Sequence, residues 1–185
     1  MAIRYFTAAL LGLMMMLSSL SVSAQTDVLQ GNATYKLSSG DIIRVLVYGE
    51  PDLSIDETRL TDAGTFSYPF VGEVKAQGRT AAELERVLTN ALQGDFLVDP
   101  RVSVSVLEYR EFYISGEVKL PGGYKYQPGL NLRRAIALAG GLTERASVRR
   151  ITVIRDLDPE RTPKRVALDE PVMPGDTINI EQGFF

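Results

Sequence analysis

The sequence predicts an α+β protein built from two small units. Two observations carry that prediction. Short segments alternate apolar and polar residues with a period of two, most cleanly in RVSVSVLEY from Arg101 to Tyr109, and that is the mark of half-buried strands. Each unit also holds a single short stretch with apolar residues at helical spacing, Thr80 to Leu92 and Asn131 to Ala139. Short strands mixed with lone short helices fit α+β units better than a doubly wound parallel sheet.

The elements follow in order. Ser39-Gly40-Asp41 is a turn signal, and Ile43, Val45 and Val47 alternate with Arg44 and Leu46 after it, which predicts a strand. Asp62-Ala63-Gly64 is a second turn. TFSYPFVGEV after it is aromatic and β-branched, and Pro69 would break its ladder, so an edge strand or bulge is expected there. Thr80-Ala81-Ala82-Glu83 has the pattern of a capping box, with Leu84, Val87, Leu88 and Leu92 as the apolar face and Gly94 as the stop. Val102, Val104 and Val106 then share one face of a strand.

The second unit opens near Tyr109. Tyr113 to Val118 predicts a strand, Pro121-Gly122-Gly123 a tight turn, and Tyr124 to Tyr126 the return strand. Pro128-Gly129 turns again, Asn131 caps a helix that buries Leu132, Ala135, Ile136 and Ala139, and Gly140-Gly141 ends it. Ile151 and Val153 lie on another strand, 156–163 is a charged loop, and VMPGDTINI from Val172 to Ile180 closes the unit. A hairpin, a helix and further strands in both halves suggest a β-grasp-like order twice over. The expected division is 1–24, 25–34 (polar and loose), 35–108 and 109–185.

Composition excludes several chemistries. The 185 residues include no cysteine, histidine or tryptophan. A typical structural zinc site, a thiol nucleophile, a Ser-His-Asp triad and a histidine base are therefore ruled out. No catalytic, cofactor-binding or metal-binding residue is expected. The net charge of −3 argues against a nucleic-acid partner, which needs a phosphate-neutralising surface. The first 24 residues have one basic residue, Arg4, an apolar run from Tyr5 to Leu17, and the small-residue end Val22-Ser23-Ala24. That is the layout of a cleaved secretory signal, with an apolar core short for a membrane span, so a soluble, exported mature chain is expected.

Two internal echoes stand out. LSSGDIIRV (Leu37 to Val45) parallels VMPGDTINI, and Gly-Glu-Val-Lys occurs at Gly72 and again at Gly116. In both copies of the tetrapeptide it is read as leaving a strand.

Taken together, these segments resemble the bacterial outer-membrane polysaccharide export proteins. YKLSSGDIIRVLVYGEPDLS is similar to that family's opening, TDAGTFSYPFVGEVKAQGRTAAELE to its central segment, and FLVDPRVSVSVLEY to its following strand. GEVKLPGGYKYQPGLNLRRAIALAGG resembles the SLBB module, a soluble-ligand-binding β-grasp unit. The positions that carry the resemblance are Gly40, Asp41, Asp62, Gly64, Pro69, Gly72, Thr80, Glu83, Asp99, Pro100, Gly116, Pro121, Gly122, Tyr124, Gly129, Leu132, Ala135, Gly140, Gly141, Gly175 and Asp176. Most of these are expected to shape turns and helix ends. One departure is Arg134, where the SLBB helix often has an acid. Another is the end at EQGFF, where long family members continue into a membrane helix.

The resemblance implies an N-terminal polysaccharide-export domain followed by one SLBB domain. It implies a non-enzymatic, ring-forming, periplasmic part of an exopolysaccharide or capsule export machine, held at the periplasmic face of the outer membrane through a partner. The implied partners are the polysaccharide polymer, other copies of the chain, a separate outer-membrane β-barrel protein and an inner-membrane polysaccharide copolymerase. Tyr113, Tyr124, Tyr126, Arg133 and Arg134 are the candidate contacts to polymer or neighbouring subunit. Two alternatives stay open at this point. One is a monomeric β-grasp module that binds a soluble ligand or glycan. The other is a carboxylate-based glycan enzyme using pairs such as Asp156 with Asp158 or Glu108 with Glu111.

Overall fold

The computed structural model describes residues 35–94 and 96–183. The proposed signal segment, the loose stretch before Tyr35 and the terminal Phe184-Phe185 lie outside the described residues.

In the first unit, β1 (Ile42–Val47) buries Ile43, Val45 and Val47 and exposes Arg44 and Leu46, as the alternation predicts. It is the centre of a three-stranded antiparallel sheet, between β2 (Ile55–Arg59) and β5 (Val102–Glu108). A 3-10 turn (Pro51–Leu53) joins β1 to β2. The aromatic segment is a separate hairpin, β3 (Thr65–Tyr68) against β4 (Gly72–Lys75), rather than one edge strand. Pro69 breaks the ladder at the hairpin's turn, where Phe70 takes a positive φ of 61°. α1 (Ala81–Leu92) has the reciprocal cap that its sequence predicts, with the Thr80 hydroxyl accepting from the Glu83 amide and the Glu83 carboxylate accepting from the Thr80 amide. Leu84, Leu88 and Leu92 are fully buried, each worth about 2 kcal/mol of transfer free energy. With Phe66, Tyr68 and the β1 valines they form the first core.

The second unit is a five-stranded mixed sheet in the order β7 (Gly122–Tyr124), β6 (Phe112–Gly116), β10 (Thr177–Gln182), β8 (Ala146–Ile154), β9 (Lys164–Arg165). β6 and β10 are parallel, and the other pairs are antiparallel. α2 (Leu132–Leu138) packs Leu132, Ala135 and Ile136 against Ile151, Val153, Ile178 and Ile180 to make a second core.

Three expectations need correction. The β-grasp-like order fits the second unit, which has the parallel central pair; the first unit's sheet is wholly antiparallel. The turn placed at Pro121-Gly122-Gly123 falls earlier, because Gly122 and Gly123 already pair with Ile114 and Tyr113, and the return strand stops at Tyr124. Without side chains these glycines look like a turn in sequence, yet Gly123 is needed in the strand: a Cβ there would lie 2.9 Å from the Tyr113 ring. Finally, the repeated Gly-Glu-Val-Lys has two structures. At 72 it is the strand β4 itself; at 116 only its glycine ends β6. Four letters do not determine a conformation when the pairing partners differ.

Candidate functional site

The two Gly-Asp echoes become one structure. In each, glycine takes a left-handed φ, 85° at Gly40 and 83° at Gly175. The aspartate that follows folds its carboxylate back onto an amide three residues upstream. Asp41 Oδ2 accepts from the Ser38 N–H at 2.9 Å, and Asp176 Oδ2 from the Met173 N–H at 2.7 Å. Both side chains are buried, one at the entry to β1 and one at the entry to β10.

Both turns close on the same residue, Arg110, in the short link between β5 and β6. Its backbone N–H donates to Asp41 Oδ1 at 3.0 Å. Its guanidinium lies 3.6 Å from Asp41 Oδ2 and 3.0 Å from Asp156 Oδ2, and donates to the Tyr35 hydroxyl at 2.7 Å. That hydroxyl donates in turn to Asp41 Oδ2 at 2.6 Å. On the other side a Cβ on Gly175 would stand 2.5 Å from Arg110 Nε, and one on Gly40 would stand 3.8 Å from Arg110 Cβ. The link is pinned to the second turn as well, since the Tyr113 N–H donates to the Asp176 carbonyl and the Gly175 N–H to the Glu111 carbonyl. Arg155 completes the cluster by donating to Asp176 Oδ2 at 2.5 Å and Glu170 Oε1 at 2.6 Å.

This arrangement ties the two units together through charges held out of water. Burial, reinforced by Asp41, pushes the Tyr35 hydroxyl far above its ordinary range. Burial also raises the Asp176 carboxyl, against the pull of the Met173 amide and Arg155. Tyr109 lies between Tyr35 and Tyr126, edge-on to both at centroid distances of 4.9 and 5.2 Å, so an aromatic ladder runs alongside the ion pairs from one unit to the other. Burial raises both Tyr109 and Tyr126. A cavity of about 280 Å³ opens beside the cluster, with Leu157, Met173 and Pro174 in its wall.

The other sequence-selected positions distribute as follows. Asp62 and Gly64 form the turn into β3, and the Gly64 carbonyl accepts from both Ala76 and Gln77. Pro69 and Gly72 flank the β3–β4 turn. Exposed Asp99 and buried Pro100 lead into β5. Gly116 meets the Ile180 backbone so closely that a Cβ would overlap its carbonyl oxygen at 2.0 Å. Pro121 precedes β7, Gly129 turns into α2 at φ 79°, and Gly140 and Gly141 follow α2 at φ 77° and 90°. The candidate contact residues are not brought together. Tyr113 stands on the sheet's outer face; Tyr124 packs on Phe112 at 5.9 Å; Tyr126 joins the ladder; Arg133 and Arg134 are exposed on α2.

Three of the four carboxylates considered for catalysis are held in ion pairs. Asp156 pairs with Arg110 and Arg161, Asp158 with Lys164, and Glu108 with Lys125. The Lys164 hydrogen bond, with the Glu160 amide, draws the Asp158 carboxyl below its ordinary range. Among the described residues no cluster of three or more acids could hold a metal ion, and no helix is long and apolar enough to cross a membrane. Arg110 is the residue that sequence reasoning missed. The two Gly-Asp echoes were visible, but nothing local marks a lone arginine in Tyr-Arg-Glu as their common partner.

Comparison with known proteins agrees with this architecture. Residues 29–107 match the family described as polysaccharide biosynthesis/export protein, and residues 112–174 match the SLBB domain. The chain is 43% identical over 82 residues to the exopolysaccharide production protein ExoF of Rhizobium meliloti, covering 43% of this chain and 20% of that protein. It is 28% identical over 146 residues to the EPS I polysaccharide export outer membrane protein EpsA of Ralstonia solanacearum, covering 65% of this chain and 38% of that one. The chain thus spans well under half the length of these relatives. With an export domain and an SLBB domain in consecutive order on an α+β fold, the chain belongs to the bacterial polysaccharide export protein family.

Proposed function

We propose that this protein is a periplasmic subunit of an exopolysaccharide or capsule export machine. In this reading copies of the chain form a ring, and the ring passes the hydrated polymer from an inner-membrane copolymerase toward an outer-membrane β-barrel. It carries no catalysis of its own. The observation that supports this best is the junction. A ring closes only if every subunit holds the same angle between its parts, and a small error repeated around the ring opens it into a helix. Arg110, clasped by Asp41 and Asp156 and flanked by both Gly-Asp turns, holds that angle fixed. The engaged carboxylates fit a protein without hydrolytic chemistry, and the relatives are named for production or export of exopolysaccharide.

The test is the mass of the exported chain in solution, by light scattering across concentration, with and without a β-barrel protein encoded beside it. A discrete high-order species is expected. A monomer under both conditions would contradict the ring and favour a monomeric ligand-binding module.

A further inference from the structure

The end of the first unit farthest from the junction is unusually apolar. β1 starts at the Arg110 cluster and runs away from it, and β5 returns, so Val47, paired with Val102, marks the far end. Tyr48, Phe70, Phe96 and Val98 are exposed there by 62, 73, 45 and 93%. The Tyr68 hydroxyl, bonded to the Leu53 carbonyl at 2.8 Å, ties the β3–β4 turn to this same end. The Phe70 and Phe96 rings pack on each other with centroids 5.8 Å apart. Phe70 holds its exposed ring out from a backbone at φ 61°, a conformation that is strained for a bulky side chain. Strain retained at an exposed aromatic points toward a contact that uses it.

The rim of this tip is acidic. Glu50, Asp52, Asp56 and Asp99 surround it, and its nearby cations, Arg44 and Arg101, are engaged with the Asp56 carbonyl and Asp99. Residues 35–108 carry 7 basic and 12 acidic side chains, net −5, whereas 109–185 carry 12 and 10, net +2. The second unit has the complementary surface. Leu120 and Leu138 are exposed by 60 and 48% and sit on adjoining backbone, since the Leu120 N–H donates to the Ala139 carbonyl. Lys119 precedes Leu120 in the chain, and Arg133 and Arg134 lie on the same helix as Leu138, Arg134 one turn before it; all three are exposed.

We infer that the aromatic tip of one copy docks on the α2 face of the next, aromatic centre on aliphatic centre and acidic rim on basic rim. Such a contact is head-to-tail, because the two surfaces differ, and it therefore propagates rather than ending at a dimer. Two tips facing each other would oppose their acidic rims, and an anionic lipid surface would repel them. The inference rests on the ring reading above and names the surfaces that build it.

The experiment is sedimentation velocity on the exported chain and three variants. Phe70→Gly relieves the backbone strain, so thermal stability should hold or rise while self-association weakens at least about tenfold. Arg133→Glu with Arg134→Glu should weaken it similarly. Mixing that variant with Asp52→Lys/Asp99→Lys should restore association. If wild type assembles and all variants assemble equally, the surface assignment is overturned while the ring stands. If wild type never assembles, the ring reading falls and this contact with it. Unchanged assembly, together with loss of binding to phosphatidylglycerol vesicles in Phe70→Gly, would assign the tip to lipid and also overturn the proposal.

Discussion

Arg110 lies where the missing side chain of Gly175 makes room for it, and the link it belongs to is bonded to the Asp41 carboxylate and to the Asp176 carbonyl. Removing one member of a buried, hydrogen-bonded charge cluster leaves the others uncompensated. Arg110→Ala should therefore cost about 3 kcal/mol, measured by urea unfolding, and more than the same change at exposed Arg133. The tyrosines give a pH signature. Tyr35 is raised above its ordinary value of 10.0 in the folded state, so its contribution to stability is complete below that value and is lost as pH rises through the folded one. Tyr68, Tyr109 and Tyr126 are raised by burial as well. Ultraviolet titration should show these four ionising above the ordinary tyrosine range, and together with unfolding. Tyr35→Phe should flatten the alkaline loss of stability; an unchanged profile would mean that Tyr35 ionises without cost.

Among elements, the helices and the parallel strand pair respond to different features. α1 depends on its cap, and Thr80→Ala should destabilise by about 1 kcal/mol, seen as a lower thermal midpoint. The β6–β10 pair depends on close approach. Gly116→Ala puts a methyl into the Ile180 carbonyl and should cost about 3 kcal/mol. Gly129→Ala, with nothing within 4 Å of its Cβ, should lose only about 1 kcal/mol to its left-handed backbone. Equal losses at the two glycines would show that conformation rather than contact governs both. The sequence made the first of these features legible and hid the second. A capping box lies within four consecutive residues, whereas Gly116 and Ile180 are 64 positions apart.

For the whole molecule, two cores and a charged clasp suit a rigid building block. Crosslinking across the junction, through cysteines introduced on either side of it, should leave the oligomeric mass unchanged if the orientation is already fixed. If the units must rotate during assembly, the crosslink should abolish the high-order species.

The sequence by itself determined the α+β class, the strand alternation of β1 and β5, both helix caps and the family resemblance, because each is written in residues close together along the chain. Tertiary structure decided what repeated segments mean. Gly-Glu-Val-Lys became a strand in one place and a strand end in the other, because a different partner was available to it. The two Gly-Asp turns, alike in letters and in local geometry, became one site when the fold brought Arg110 between them. Local patterns specify torsions and faces; which distant surfaces meet is settled by burial and by the pairing of charges that water no longer reaches.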